Sequence, residues 1–85
     1  MPKSMFTPAY GLLLEALLDL RRKSGVTQVE LARRLGKTQA FVSTVERGIR
    51  RIDLIEFYSI TRALGGDPVA IFAELVGQWP KKVAI

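Results

Sequence analysis

The dipeptide Thr-Gln occurs twice in this sequence, at Thr27-Gln28 and at Thr38-Gln39, with arginine and lysine residues on both sides. Threonine is a preferred residue at a helix N-cap, because its hydroxyl oxygen accepts a hydrogen bond from a backbone N–H of the first turn. Each pair therefore places a glutamine at the first position of a predicted helix. A glutamine amide offers both a donor and an acceptor, so these residues are suited to recognition by hydrogen bonding beside positive charge.

The positive charge is concentrated in one part of the chain. The net charge of the 85 residues is +5, but residues 21–51 hold nine arginine and lysine residues against two glutamates, a net charge of +7, and the other residues have a net charge of −2. Such polarisation is typical of a surface that binds a polyanion. A solvated charged face would have the same composition, so the charge alone does not choose between these interpretations.

The composition argues against several classes of protein. Cysteine and histidine are absent, which removes disulfides, thiolate metal ligands and the commonest general base. We therefore expect no cofactor, no metal site and no catalytic residue, and the chain is predicted not to be an enzyme. It has no apolar run of membrane-spanning length and no signal-peptide pattern, so a soluble, cytoplasmic protein without membrane attachment is expected.

Helical spacing and capping residues predict five helices and no strands. Thr27 with Glu30, and Asp53 with Glu56, have the spacing of a capping box. The chain is therefore predicted to be all-α, a compact five-helix domain over residues 1–85, with its core at about residues 8–76, a short N-terminal arm and a C-terminal tail. The predicted helices begin at Thr7-Pro8, Thr27, Thr38, Asp53 and Asp67-Pro68, and end at Gly25, Gly36, Gly48, Gly65-Gly66 and Gly77.

Apolar residues at helical spacing predict the face that each helix turns toward the core. The first helix is apolar beyond this face, at Leu12, Ala16 and Leu18, which indicates a second packing partner or a central position. The predicted inward residues are Tyr10, Leu13, Leu14, Leu17 and Leu20, then Leu31, Ala32 and Leu35, then Val42 and Val45, then Phe57, Ile60, Thr61 and Leu64, and finally Ile71, Phe72 and Leu75.

The second and third helices are separated by a very short turn. Only Lys37 lies between Gly36 and the cap Thr38, so the two helices meet at a steep angle. Ala32 lies at the predicted crossing, where a small side chain allows close approach. This is the layout of a helix-turn-helix, although a corner of this kind also occurs in helical domains that bind no nucleic acid.

The residues around this corner resemble those of a known family. The chain is similar to the Cro/phage-repressor class of helix-turn-helix domains, also called the XRE family, over roughly residues 10–76. The resemblance implies the phage-repressor fold, with the helix-turn-helix formed by helices 2 and 3, and double-stranded DNA as the partner. The matching positions are Leu20-Arg21, Gly25-Val26-Thr27-Gln28, Glu30-Leu31-Ala32, Gly36, Val42-Ser43, Val45-Glu46-Arg47-Gly48, Ile60, Ala63-Leu64-Gly65 and Asp67-Pro68.

The resemblance also assigns roles to the two glutamines. Gln28 is expected to anchor to a phosphate at a helix N-terminus. Gln39 is expected to reach a base edge in the major groove, where its amide fits adenine N6 and N7. Arg47 and the residues of the flanking turns are expected at the DNA backbone, and Ala40, Ser43 and Thr44 at bases or phosphate. The full predicted DNA-binding set is Gln28, Lys37, Thr38, Gln39, Ala40, Ser43, Thr44, Arg47, Arg50 and Arg51.

Two further residues of this region are interpreted as structural. Glu46 lies at the end of the third helix, where an acid is unfavourable to the helix dipole, and the resemblance pairs it with Arg21 on the first helix. The alternative is a surface acid without a partner. Phe41 is predicted to pack under the fourth helix and not to face DNA.

The sequence thus favours a sequence-specific, DNA-binding transcriptional regulator, a repressor that reads a palindromic operator as a dimer. An antitoxin that regulates its own operon, with a toxin as its protein partner, is one alternative. A protein-interaction module that does not bind DNA is another. Apolar residues outside the five inward faces are expected to form the homodimer, with Trp79 as the anchor, unless the indole folds back on its own domain. These residues are Met5, Phe6, Val76, Trp79, Val83 and Ile85.

Overall fold

The computed structural model describes residues 7–85, and these residues form helices and loops without any strand. The predicted residues Met5 and Phe6 lie outside the described range. The all-α prediction is confirmed, since the chain has the five helices expected from its capping residues. They are α1 (Pro8–Ser24), α2 (Gln28–Leu35), α3 (Gln39–Glu46), α4 (Leu54–Ala63) and α5 (Pro68–Gln78).

All five predicted N-caps are present. The side chains of Thr7, Thr27, Thr38, Asp53 and Asp67 each accept a hydrogen bond from a backbone N–H of the first turn. Such a bond satisfies one of the N–H groups that the helix itself cannot pair, and is worth about 1 kcal/mol. The caps explain why the helix starts could be predicted from single residues.

Only one of the two predicted capping boxes is complete. Asp53 and Glu56 exchange hydrogen bonds, from the Glu56 backbone to Asp53 at 2.7 Å and from the Asp53 backbone to the Glu56 carboxylate at 2.9 Å. In α2 the Thr27 hydroxyl accepts from the Glu30 backbone at 3.1 Å, but the Glu30 carboxylate binds Arg33 and Arg34 instead. The two arginines, one turn further along the helix, thus bind the carboxylate in place of the Thr27 backbone N–H.

The corner between α2 and α3 depends on Gly36. Its φ of 68° lies in the left-handed region, where a residue without Cβ avoids a steric penalty. The Gly36 N–H donates to Arg33 O at 3.2 Å and the Lys37 N–H to Ala32 O at 2.9 Å, which satisfies the last carbonyls of α2. Ala32 is buried at the crossing, as predicted. The chain therefore reverses in one residue and starts α3 at Thr38.

Each of the five helices packs one face into the core. Thr61 is fully buried, and its hydroxyl donates to the carbonyls of Phe57 and Tyr58, both at 3.0 Å, so the polar group costs little to bury. Leu12 and Ala16 of α1 pack against the core outside the predicted stripe, which fits the contacts of α1 with both α4 and α5. The buried core residues are Leu17, Val26, Leu31, Ala32, Val42, Val45, Phe57, Ile60, Leu64 and Leu75.

The C-terminal part differs from the prediction in two places. Helix α5 continues through Gly77 to Gln78, because glycine inside a helix costs only about 1 kcal/mol and does not by itself end it. Phe72, predicted to face inward, is 45% exposed. Its ring meets Phe57 and Trp79 edge to face, at centroid distances of 6.4 and 6.0 Å.

The indole of Trp79 folds back on its own chain. Its Nε1 donates to Ala9 O at 2.9 Å, and its ring is partly buried against the core. Of the two alternatives for Trp79, the structure shows the fold-back and not the exposed anchor. In residues 7–85 no helix is both long and apolar enough to cross a membrane.

Candidate nucleic-acid interface

Helix α3 has one buried side and one solvent-facing side. Val42 and Val45 are buried in the core. The opposite side carries the five residues of the predicted DNA-binding set in this helix and its C-cap. Gln39, Ala40 and Arg47 are exposed on that side, and Ser43 and Thr44 are partly exposed. The structure thus brings these five residues to one surface, as their helical spacing predicts.

A chain of hydrogen bonds supports the start of α3. Gln39 Nε2 donates to Gln28 Oε1 at 2.8 Å. Gln28 Nε2 donates in turn to Glu46 Oε1 at 2.8 Å. Arg21 holds the same carboxylate with two nitrogens, Nε to Oε2 and Nη2 to Oε1, the second at 3.0 Å. The two glutamines of the repeated dipeptide are therefore joined to each other and to α1.

The predicted ion pair between Arg21 and Glu46 is present and shielded from solvent. The side chains are only 15% and 14% exposed, so solvent screens the pair less than a surface pair. Arg21 Nη1 also donates to Val26 O at 3.0 Å. Glu46 thus ties the end of α3 to α1, and the alternative of a partnerless surface acid is wrong.

The hydrogen bonds leave both glutamines with capacity for a ligand. Each amide nitrogen has two N–H groups, of which the described residues engage one. Gln39 therefore retains one N–H and its carbonyl oxygen, the donor and acceptor that a bidentate contact with adenine needs. Gln28 retains one N–H, and its oxygen already accepts one hydrogen bond from Gln39, a link that the sequence did not predict.

Thr38 and Thr44 have their hydroxyl groups engaged within the helix. Thr38 Oγ1 accepts from the Phe41 N–H at 3.1 Å as the N-cap. Thr44 Oγ1 donates to Phe41 O at 2.8 Å. The Thr44 hydroxyl proton is therefore used within the helix, and its methyl group is available for an apolar contact. Arg47 Nε lies 3.2 Å from Ser43 Oγ, so these two side chains share the end of the exposed face.

Phe41 lies between two cations. Its ring is partly buried against the core, as predicted, and its centroid is 5.5 Å from Lys37 Nζ and 5.0 Å from the Arg50 guanidinium carbon. These are distances at which a cation is attracted to an aromatic face. Lys37 and Arg50, from the turns on either side of α3, are thus held on one side of the helix.

Arg50 is also held by an acid that the sequence did not assign to it. Its Nη2 lies 2.8 Å from Glu56 Oε2, and its Nη1 lies 3.0 Å from Glu56 Oε1. The pKa of the Glu56 carboxyl is lowered most by the hydrogen bond from Arg50 and next by the hydrogen bond from the Asp53 backbone. The sequence had already assigned Glu56 a role as the acid of a capping box, so its pairing with Arg50 was not predicted.

Arg51 turns toward α1. Its guanidinium lies over the Tyr10 ring at 4.4 Å from the centroid, and the Tyr10 hydroxyl accepts from the Ile52 N–H at 3.1 Å. Tyr10 is buried, so the stacked pair fixes the end of the α3–α4 loop against the first helix. Arg50 and Arg51 are neighbours in sequence, but Arg50 contacts Glu56 and Phe41, whereas Arg51 packs on Tyr10.

Two arginines of the basic segment make contacts within α2 and with the end of α4. Arg33 and Arg34 both bind Glu30, with closest distances of 2.6 and 2.8 Å, and Arg34 Nη1 donates to Ala63 O at the end of α4 at 2.8 Å. Hydrogen bonds from Arg33 and then Arg34 lower the pKa of Glu30 to about 2. These arginines were counted in the basic charge but not in the predicted DNA-binding set.

The described part of the chain contains no cluster of three or more aspartate, glutamate, histidine or cysteine side chains placed to hold a metal ion.

Comparisons with known proteins agree with this geometry. Residues 17–71 match the profile of a family described as helix-turn-helix. An XRE-family like protein from Pseudomonas syringae pv. tomato has the same fold with a TM-score of 0.81 and 45% identity, over 86% of this chain and 91% of that chain. The clp gene regulator ClgR from C. glutamicum follows with a TM-score of 0.69 and 28% identity, over 84% of this chain and 92% of that chain.

One curated relative was also found by its sequence. The HTH-type transcriptional regulator y4dJ of Sinorhizobium fredii is 44% identical over 46 residues, which are 54% of this chain. The match spans 60% of that relative's length. The family profile covers both helices of the corner and most of the core around them. The chain therefore belongs to the XRE type of the helix-turn-helix family, a family of DNA-binding transcriptional regulators.

Proposed function

We propose that this protein is a sequence-specific, double-stranded DNA-binding transcriptional regulator that inserts α3 into the major groove. The observation that carries the proposal is the Gln39 amide, exposed at the start of α3 and held in place by Gln28. A side chain positioned by a neighbour loses less conformational entropy on binding. Family membership supports a binding role rather than a catalytic one, and a place of action in the cytoplasm.

In this proposal the exposed side of α3 reads bases and its surroundings hold the backbone. Gln39 bonds one adenine, the Ala40 and Thr44 methyls meet thymine methyls, and Ser43 bonds a base or a phosphate. Thr38 presents the N-terminus of α3, whose free N–H groups favour a phosphate. The remaining predicted contacts are phosphate contacts from Gln28, Lys37, Arg47, Arg50 and Arg51.

The test is selection of binding sites from random duplex DNA by the wild-type protein and by Gln39→Ala. We expect a consensus for the wild type, with loss of preference at one position of each half-site in the variant. Glu15→Gln, a change on the exposed side of α1, serves as the control and leaves the consensus unchanged. If the wild-type protein enriches no sequence, the proposal of sequence-specific DNA binding is wrong, and a protein-interaction module is favoured.

We further propose that the protein acts as a repressor and binds a palindromic operator as a homodimer. One recognition helix reads few base pairs, so two half-sites about 34 Å apart are expected. Trp79 is occupied within its own chain, but an apolar face on α4 and α5 remains uncovered. Its exposed residues are Leu54, Tyr58, Val69, Phe72 and Val76.

Sedimentation without DNA tests the dimer. We expect wild-type protein to be a dimer at tens of micromolar, and Val76→Asp to be a folded monomer because it buries a charge in the interface. Val29→Asp, a matched change at an exposed valine of α2, keeps the dimer. Monomeric wild-type protein would contradict the homodimer, and would favour a second protein, such as the toxin of an antitoxin pair, on the same face.

A further inference from the structure

Arg50 and Glu56 form a two-point contact at the edge of the candidate interface. Both nitrogens Nη1 and Nη2 of the guanidinium bind the carboxylate, at 3.0 and 2.8 Å. Nη1 also donates to Arg51 O at 3.1 Å, and the guanidinium lies over the Phe41 ring. Arg50 is thus held inside its own chain through both Nη1 and Nη2, while its side chain is still 46% exposed.

Glu56 is fixed independently of Arg50. Its Oε1 accepts the Asp53 N–H at 2.9 Å as part of the capping box, so the carboxylate keeps its place at the start of α4. Lys37 lies close enough to contribute to the lowered pKa of Glu56, after Arg50 and the Asp53 N–H. The acid is therefore ionised at neutral pH, between the two cations that approach DNA from either side of α3.

A phosphate that approaches Arg50 meets this negative charge. The carboxylate occupies the edge of the guanidinium formed by Nη1 and Nη2, where a phosphate could bind with two hydrogen bonds. A phosphate bound to Arg50 through the remaining Nε–H would lie beside the carboxylate and be repelled. Building on the proposed function, we propose that Glu56 lowers the affinity of this protein for DNA, because a phosphate that binds Arg50 must either displace the Glu56 carboxylate or lie beside its negative charge. Glu56 is then a positioning residue that limits backbone binding and does not itself contact DNA.

The ion pair of Glu30 with Arg33 and Arg34 provides a matched control. It has the same chemistry, but Arg34 binds Ala63 at the far end of α4, whereas Glu56 lies in its first turn. A helix of 10 residues is about 15 Å long, which exceeds the screening length of about 10 Å at 0.1 M salt. Glu30→Gln and Glu56→Gln therefore remove the same charge at different distances from Arg50.

The experiment measures the affinity for a mixed-sequence duplex of about 30 base pairs over a range of NaCl concentrations. Glutamine at position 56 can still accept the Asp53 N–H, so the capping box is retained. From the strength of exposed ion pairs, we expect Glu56→Gln to bind about two- to fivefold more tightly. Its log–log salt slope becomes steeper by up to about 0.9, because a negative charge that opposes the Arg50 phosphate contact is removed. Glu30→Gln is expected to leave both quantities unchanged.

The double variant separates release of Arg50 from a general gain of charge. In the Arg50→Ala background, Glu56→Gln is expected to give no gain. An equal gain with and without Arg50, or no gain from Glu56→Gln in the wild-type background, overturns the inference while the proposed function stands. If Glu56→Gln does not fold, Glu56→Ala takes its place in both backgrounds, with the same expected gain and the same outcomes that overturn the inference. Wild-type protein that binds no duplex at low salt would overturn the proposed function itself.

Discussion

The side-chain amide of Gln39 donates a hydrogen bond to that of Gln28 over 2.8 Å, so the first residues of α2 and α3 are in direct contact. Gln28 in turn donates a hydrogen bond to the Glu46 carboxylate, which also accepts from Arg21. The residue placed to read a base is thereby connected to the scaffold through side chains of three helices. Its orientation depends on residues that do not face DNA, and this dependence can be measured.

Replacing Gln39 by alanine is expected to weaken binding to the selected site by about 1–3 kcal/mol. The cause is loss of the donor and acceptor pair that remain free in the Gln39 amide. Preference at one base position is expected to relax, while binding to mixed-sequence DNA changes little. Titration of the selected duplex and of the same duplex changed at each position measures both effects. Unchanged discrimination would remove Gln39 from the residues that read sequence.

Replacing Gln28 by alanine is expected to have two consequences. All duplexes bind more weakly, because a backbone contact at the start of α2 is lost. Discrimination also falls in part, because the Gln39 amide loses the acceptor that holds it. A double-mutant cycle with Gln39→Ala on the selected duplex measures the link, and we expect the two losses to be non-additive. Strict additivity would mean that the hydrogen bond does not contribute to reading.

Replacing Arg21 or Glu46 by alanine is expected to destabilise the fold by about 2–4 kcal/mol, because each change leaves a poorly solvated charge without its partner. The double variant is expected to lose less than the two single losses combined. Urea unfolding of the wild type, both single variants and the double variant measures the coupling. Lys23→Ala breaks the exposed pair with Asp19 and serves as the control, with a loss below about 1 kcal/mol.

Replacing Lys37 by alanine is expected to lower the log–log salt slope of DNA binding by about 0.9. Among residues 7–85 the Lys37 ammonium is in no ion pair, and its contact is the face of Phe41. It can therefore meet a phosphate without giving up a carboxylate. Lys23→Ala removes the same charge from α1 and is expected to keep the wild-type slope. Equal slopes for all three proteins would place the turn between α2 and α3 away from the duplex.

The fold is expected to lose stability in acid through Glu30. Hydrogen bonds from Arg33 and Arg34 lower its pKa from 4.5 to about 2, so the folded state binds this proton less readily than the unfolded chain. The stabilising contribution is complete above the unfolded value and disappears as the pH falls from about 4.5 to about 2. Melting temperatures measured across this range are expected to fall less for Glu30→Gln than for the wild type. Glu15→Gln, at an exposed residue of α1, is the control and follows the wild type.

The sequence by itself determined where the helices begin and most of the residues that fill the core. These features depend on groups within one or two turns of each other, such as the Thr38 hydroxyl and the Phe41 N–H. Gly77 shows the limit of this reasoning, because α5 continues through it although glycine has a weak helix preference. The exposed side of α3 was predictable for the same reason as the caps, since helical periodicity fixes it.

Only the tertiary structure decided which partner each charged group takes. Glu30 lies within one turn of Thr27, Arg33 and Arg34, and the sequence could not choose among them. Glu56 binds Arg50 because the α3–α4 loop folds back over the start of α4. The Trp79 indole reaches Ala9, separated from it by 70 positions, because α5 packs against α1. The Trp79 contact depends on the distance between elements that are remote in sequence. The contacts of Glu30 and Glu56 are local, but several partners lie within reach of each carboxylate, and the residue types alone do not choose among them.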